Sequence, residues 1–311
     1  MPFALLRDLP GWWPYALGAI TLAFNLAATG HVLLTKRDVR AAAAWVSLIW
    51  FVPIVGALLF AALGLNRIRR RAADLQRERR RLRLSTPHDT AIARIGTEAT
   101  VSPSMKPFAR LGEQVSGRPL LTGNRVRVLN NGDEAYPEML AAIEAARHSV
   151  ALNTYIFGDD AAGKKFVSAL ARATERGVAV RVLIDGFGTR YTWPPVERAL
   201  RAAGVPTALF LPRIRDAGLG FFNLRTHRKV LTVDGRIGFT GGINIQARNI
   251  HADRPAHVVR DTHFRLEGPI VGQLQEVFAE DWAFTTREVL DGPSWFPSLT
   301  AVGDTTARLY T

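Results

Sequence analysis

The amino-acid sequence predicts an α/β domain held behind an N-terminal two-helix transmembrane hairpin. Three observations predict it. Two long stretches near the N-terminus carry no charge, strand-like and helix-like periodicities alternate after residue 120, and a strong hairpin signal occupies residues 226–240.

The uncharged stretches run from Trp12 to Leu34 and from Ala41 to Leu65. Each exceeds the roughly 20 residues that a helix needs to cross about 30 Å of hydrocarbon. A cleaved signal peptide fits poorly, since Arg7 is offset by Asp8 and no small-residue cleavage site precedes the second stretch. Asn25 and His31 make the first stretch the more polar of the two. The short connection Thr35 to Arg40 predicts a hairpin, so the N-terminus and everything after Leu65 share one side of the membrane.

Of the formal net charge of +13, +7 falls in residues 66–84, where nine arginines meet only Asp74 and Glu78. The positive-inside bias then places the larger part of the chain in the cytoplasm, as a multi-pass inner-membrane protein. These arginines suit anionic headgroups; a solvated helix with Arg–Glu pairs is the plainer alternative. The chain has no cysteine, which excludes disulfides, thiolate metal sites and a cysteine nucleophile.

Residues 67–119 read as a basic juxtamembrane segment and a linker, with Pro87, Pro103 and Pro107 among Ser and Thr. A domain is expected over 120–290, and a tail over 291–311. Within the domain, 125–129 alternates like a strand, 135–148 has helical spacing and 150–157 reads as a second strand. A helix over 163–176 closes at Gly177 and leads into a nearly continuous apolar strand over 178–184. That order, βαβαβ, predicts an α/β sandwich with a parallel or mixed sheet. A short helix over 194–203, a strand over 207–211 and a final helix over 270–282 complete the reading. Two β-prone runs within 226–240 are joined by Asp234-Gly235, a hairpin turn signal.

Side chains two apart on a strand share a face, so His227 and Lys229 point together. A neutral imidazole can attack phosphorus and divide a hard displacement into two steps, while an ammonium neutralises the non-bridging oxygens. Gly241 and Gly242 allow backbone to approach the site, and the Asn244 amide can donate a further hydrogen bond. The chemistry needs no metal and no cofactor. Each residue alone has a bland explanation: a strand histidine is mostly structural, Asp234 suits its turn, and glycines end strands.

Together, His227, Lys229, Asp234, Gly241, Gly242 and Asn244 fit H-x-K-x4-D-x6-G-G-x-N, the motif of the phospholipase D superfamily. The segments YIFGDDAAGKKF, VRVLIDGFG, NLRTHRKV and RDTHFRLEGP, the later Phe278 and Trp282, and the N-terminal hairpin ending GLNRIRRR resemble bacterial cardiolipin synthases. The resemblance covers about residues 10–70 and 120–290. It implies a phospholipase D-like α/β sandwich in which His227 is the nucleophile, or the acid/base if roles exchange. Lys229, Asn244, Gly241 and Gly242 would hold the phosphate, and Asp234, though part of the catalytic motif, would mainly fix the hairpin. Asp261 and Glu267 match a family segment without an assigned chemical step, and a structural role is expected of them. The implied reaction makes cardiolipin from two phosphatidylglycerols, releasing glycerol, through a phosphatidyl-histidine.

Such enzymes build each active site from two motifs, one histidine attacking and the other protonating the leaving oxygen. His227 is the one histidine here with a lysine two residues on. The expectation is a first half whose second motif lies in a missing C-terminal half, with a homodimer of single-motif chains as the alternative. Expected partners are phosphatidylglycerol and the anionic membrane. Away from the basic segment and the 35–40 connection only a net +4 remains, a weak footprint for nucleic acid. A membrane-anchored phospholipase D-type phosphodiesterase or nuclease is the rival enzyme, and a catalytically silent lipid-binding protein the rival of another class.

Overall fold

A computed structural model describes residues 11–35, 38–60, 101–211, 225–252 and 257–310, which fall into an N-terminal unit and a larger α/β unit. The predicted arginine-rich segment 66–84 lies outside the described residues.

In the N-terminal unit, α1 (Trp13–Thr35) is a 23-residue helix, apolar and long enough to cross a membrane. The second uncharged stretch differs from its predicted form, because it is not one continuous helix. After the Asp38 cap, α2 (Val39–Phe51) spans 13 residues, followed by a turn and the short α3 (Val55–Leu59). Pro53 lacks the N–H that would continue the ladder, and Ile54 takes a positive φ of 64°. A 13-residue helix rises only about 20 Å, so the described part of the second stretch does not span as a straight helix. Trp45 and Phe60 meet edge to face, 5.4 Å between centroids, and Val32, Ala42, Ile49 and Ala57 complete a small apolar cluster.

The larger unit begins earlier than the predicted boundary at 120. Within the expected linker, α4 (Lys106–Ser116) forms and ends on Gly117 in the left-handed region. The next residue, Arg118, is 1% exposed and ion-paired to Glu276 and Glu280. An eight-stranded mixed sheet follows: β1 (Leu121–Asn130), β2 (Ser149–Thr154), β3 (Ala179–Asp185), β4 (Thr207–Phe210), β5 (Val230–Val233), β6 (Ile237–Gly241), β7 (Thr262–Glu267) and β8 (Thr305–Ala307). Its order is β4-β3-β2-β5-β6-β7-β1-β8; β2, β3 and β4 run parallel, and the remaining pairs are antiparallel.

Helices α5 (Asn131–Ala145), α6 (Ala161–Glu175) and α7 (Val196–Ala202) cover one face, and α8 (Ile270–Thr286) covers the other. All six residues of β2 are buried, and they alternate between the two cores: Val150 and Leu152 join Phe166 and Leu170, whereas Ala151 joins Leu274 and Phe278. The predicted tail is part of this fold, because Trp295 and Leu299 are buried against α8 and β8 pairs with β1.

Candidate active site at the C-terminal ends of the parallel strands

Strand polarity decides which residues meet. The C-terminal ends of β2 and β3 lie at the same end of the sheet as the N-terminal end of β5, which is antiparallel to β2. By the same alternation the C-terminal end of β6 and the N-terminal end of β7 arrive there too, with Gly241 opposite His263. Ligands of open α/β sheets favour this end of the parallel strands. It gathers Tyr155, Asp185, His227, Lys229, Gly241, Gly242, Asp261 and His263.

His227 and Lys229 lie in extended chain just before β5 rather than within it. Their side chains nevertheless share a side, as their spacing predicts: Lys229 Nζ is 3.2 Å from His227 Nδ1 and donates to the His227 carbonyl at 2.8 Å. The imidazole is exposed at the mouth of the site, whereas Lys229 is buried. Burial lowers the Lys229 ammonium to about 8, against a partial upward pull from Asp261 and Asp185. The His227 imidazole is also held below its ordinary value, first by desolvation and then by Lys229, with Asp185 opposing.

Asp185 closes β3. Its carboxylate accepts from the Thr226 N–H at 2.7 Å and from Phe187 N–H at 2.9 Å, which fixes the backbone leading into His227. Burial raises its proton affinity. Tyr155, just past β2, lies against the His227 ring with 4.4 Å between centroids. Asn244 Oδ1 accepts from the Ile156 N–H at 3.1 Å, so its Nδ2 remains available as a donor.

Both glycines of the motif have a steric reason. Gly241 adopts φ 152°, and a Cβ there would meet the Thr262 carbonyl and lie 2.8 Å from His263 Nδ1. A side chain on Gly242 would strike the Asp261 carboxylate. The pair therefore lets β7 bring Asp261 and His263 close to Lys229. His263 is 1% exposed, its Nδ1 has no partner among the described residues, and burial lowers it to about 4. It stays neutral at ordinary pH. Glu267, by contrast, pairs with Arg125 and Arg265 at the far end of β7.

Asp234 is not brought to this site. It sits at the opposite end of β5 in the hairpin turn, at φ 51° followed by Gly235 at φ 59°. Its carboxylate accepts from the Arg147, His148 and Ser149 N–H groups at 3.0, 2.7 and 2.9 Å, binding the turn to the start of β2. Asp234→Ala is expected to cost about 1–3 kcal/mol, since three backbone donors lose their acceptor. Asp234→Asn should lose less, because asparagine tolerates the left-handed conformation and keeps one acceptor oxygen. Guanidinium unfolding followed by tryptophan fluorescence measures both.

On the back of the sheet Arg228 points away from His227 and Lys229. Its Nη1 donates to both Asp281 oxygens at 2.7 and 2.6 Å, and Asn153 Nδ2 lies 3.3 Å from the same carboxylate. Asp281 is fully buried on α8. The His-Arg-Lys segment is thus gripped from behind while its two neighbours face the site. Sequence reasoning missed Tyr155, Asp185, His263 and this rear clamp. For Tyr155 and Asp185 the usable signal is their position at the ends of the predicted strands 150–157 and 178–184; His263 on β7 and the Arg228–Asp281 pair carry no such signal. Among the described residues no three His, Cys, Asp or Glu side chains gather at metal-ligating distance.

Residues 139–282 match the family described as Cardiolipin synthase, PLD-like domain, and residues 23–64 match Phospholipase D-nuclease N-terminal. The chain is 30% identical to cardiolipin synthase 1 of Bacillus anthracis, over 86% of its own length and 52% of the relative's. It is 32% identical to cardiolipin synthase A of Pseudomonas entomophila, over 90% and 58%. The chain thus spans a little more than half the length of these curated relatives. Among solved structures it is similar to Nuc, a phospholipase D family member from Salmonella typhimurium, with TM-score 0.41 and 21% identity over 52% of this chain and 96% of that one.

Proposed function

We propose, from the match of residues 139–282 to the family described as Cardiolipin synthase, PLD-like domain, that the chain takes part in phosphatidyl transfer between two phosphatidylglycerols, with His227 as the group that accepts the phosphatidyl. The observation that supports this best is the exposed imidazole of His227 beside the buried ammonium of Lys229, 3.2 Å apart at the C-terminal end of the parallel strands.

In the free site the ammonium faces Nδ1 and so favours the ring tautomer protonated at Nε2. A phosphodiester entering the site offers Lys229 anionic oxygens in place of Nδ1. The ring then carries its proton on Nδ1 and presents the Nε2 lone pair to phosphorus. Attack forms the N–P bond and breaks the bond from phosphorus to the glycerol oxygen, which takes a proton from an acid. A hydroxyl of the second phosphatidylglycerol, giving its proton to the same group, then displaces His227 and yields cardiolipin. Lys229 and the Asn244 amide stabilise the charge on the phosphate, and the acid/base is a second His-Lys pair. We assign that pair to a second motif facing this one, from a paired copy or from further sequence of the relatives' kind. The helix α1 holds the domain at a membrane, with the domain on the cytoplasmic side.

The protonation states set the pH dependence. Attack needs neutral His227, whose pKa is lowered, and phosphate binding needs charged Lys229, at about 8 in the free site. The kcat/KM profile, which reports the free enzyme, is expected to fall on the acid side below the ordinary histidine value of about 6.5. On the alkaline side it falls from about 8. Assaying the chain in phosphatidylglycerol proteoliposomes for cardiolipin and free glycerol across pH 5–10 tests this reading. Cleavage of DNA without cardiolipin formation would replace it with a nuclease.

A further inference from the structure

The chain leaving β3 makes a turn at Gly188–Tyr191 and reaches α7 through Thr192–Pro195. Two large aromatic side chains stand out from it, Tyr191 at 57% exposure and Trp193 at 83%. Both ring faces and cations are concentrated here. The Arg198 guanidinium lies 5.7 Å from the Trp193 ring, and Arg190 and Arg225 lie 5.2 and 3.5 Å from Phe187. All three arginines are exposed. Across a cavity of about 350 Å³ Trp193 and Tyr191 also face Arg248. The nearby acids are mostly engaged: Asp160 accepts from Gly163 and Ala247 N–H groups, buried Asp185 accepts from Thr226 and Phe187 N–H groups, and Glu197 is half-buried on α7, leaving Asp159 beside the cavity.

This cluster continues directly into the site. Tyr191 lies 6.1 Å from Tyr155, which lies 4.4 Å from His227, and Arg225 Nη1 is 3.3 Å from the Tyr155 hydroxyl. Water is a poor environment for an indole so far exposed, and a protein groove would leave the surrounding guanidinium groups to be desolvated. A headgroup layer accommodates both: Trp and Tyr settle at the boundary between apolar and wet phases, and arginines pair with anionic lipid.

We propose that the turn carrying Tyr191 and Trp193 is where this domain enters the surface of an anionic bilayer. It thereby sets the mouth of the His227 site at headgroup level, so that a phosphodiester reaches the imidazole without leaving the membrane. The proposal rests on the phospholipid reading of the site for its purpose, but its test requires no turnover.

The absence of cysteine from the sequence makes the test clean. A nitroxide is attached to Thr192→Cys, between the two aromatic residues, and separately to Glu175→Cys at the opposite end of α6. The full chain is reconstituted in phosphatidylglycerol–phosphatidylcholine liposomes, and collision with oxygen, which concentrates in lipid, is compared with collision with a water-soluble nickel chelate. The expected result is a several-fold higher oxygen-to-nickel ratio at 192 than at 175, reduced in phosphatidylcholine alone and reversed by Tyr191→Ser with Trp193→Ser. Equal nickel access at 192 and 175 would overturn the proposal. So would protection of 192 from both reagents, the signature of a protein surface such as a second copy. A chain inactive on phosphatidylglycerol that still shows lipid contact at 192 would count against the catalytic reading alone.

Discussion

Phosphatidyl transfer is expected to fall by about 10²–10⁴-fold in His227→Ala, since acid–base participation alone by one group is commonly worth that much and the covalent step is lost with it. The loss should appear in kcat with the fold intact. His227 is exposed, and its ring contacts are with Tyr155 and Lys229 rather than the core. Lys229→Gln should separate from it. A buried amide keeps a donor for the phosphate but not the charge, so KM rises along with the fall in kcat. If His227→Ala retained wild-type transfer, the phosphatidyl acceptor would have to be another group.

The largest expected effect on stability lies behind the site. Arg228→Met leaves the Asp281 carboxylate, fully buried on α8, without the guanidinium that now contacts both its oxygens. Breaking a buried pair by removing one partner costs about 3–5 kcal/mol, and the Asn153 amide that stays beside Asp281 offsets part of this. A loss of about 3 kcal/mol is therefore expected. The double replacement Arg228→Met with Asp281→Leu should recover part of it, because two apolar groups need no counter-ion while the buried Asn153 amide loses its acceptor. Denaturant unfolding of the two single variants and the double variant measures the coupling. A single variant within about 0.5 kcal/mol of wild type would mean that the pair holds nothing in place.

His227 and Lys229 show what the sequence makes legible. Histidine and lysine two positions apart share a side by strand geometry alone, and the glycine pair with Asn244 marks a close approach of backbone. Both features are visible without a structure. Asp234 illustrates the limit of a motif: its spacing from His227 is regular because the length of β5 is fixed, while its carboxylate serves the turn at the other end of that strand. Asp185, Tyr155 and His263 come from strands distant in sequence. Only the sheet order tells which strand ends coincide, and local periodicity carries no sheet order. By strand alternation Arg228 faces away from His227 and Lys229, yet its partner Asp281 is 53 residues along the chain. In the N-terminal unit hydropathy marked the apolar stretches, but Pro53 ends α2 after 13 residues, a local rule that an apolar count passes over. The sequence from 291 onward lacks long periodic runs, so the burial of Trp295 and Leu299 and the short pairing of β8 were not foreseeable from it.

The central claim is that His227 carries the phosphatidyl group. Its most direct test uses phosphatidylglycerol labelled with radioactive phosphorus in the phosphodiester, incubated with the reconstituted chain and quenched at alkaline pH, where phosphohistidine survives. Peptide mapping then locates any label bound to protein. The account predicts acid-labile label on the peptide containing His227, discharged to cardiolipin when unlabelled phosphatidylglycerol is added and absent from His227→Ala. Label on a different residue, or cardiolipin formed equally by the native chain and by His227→Ala, would contradict it.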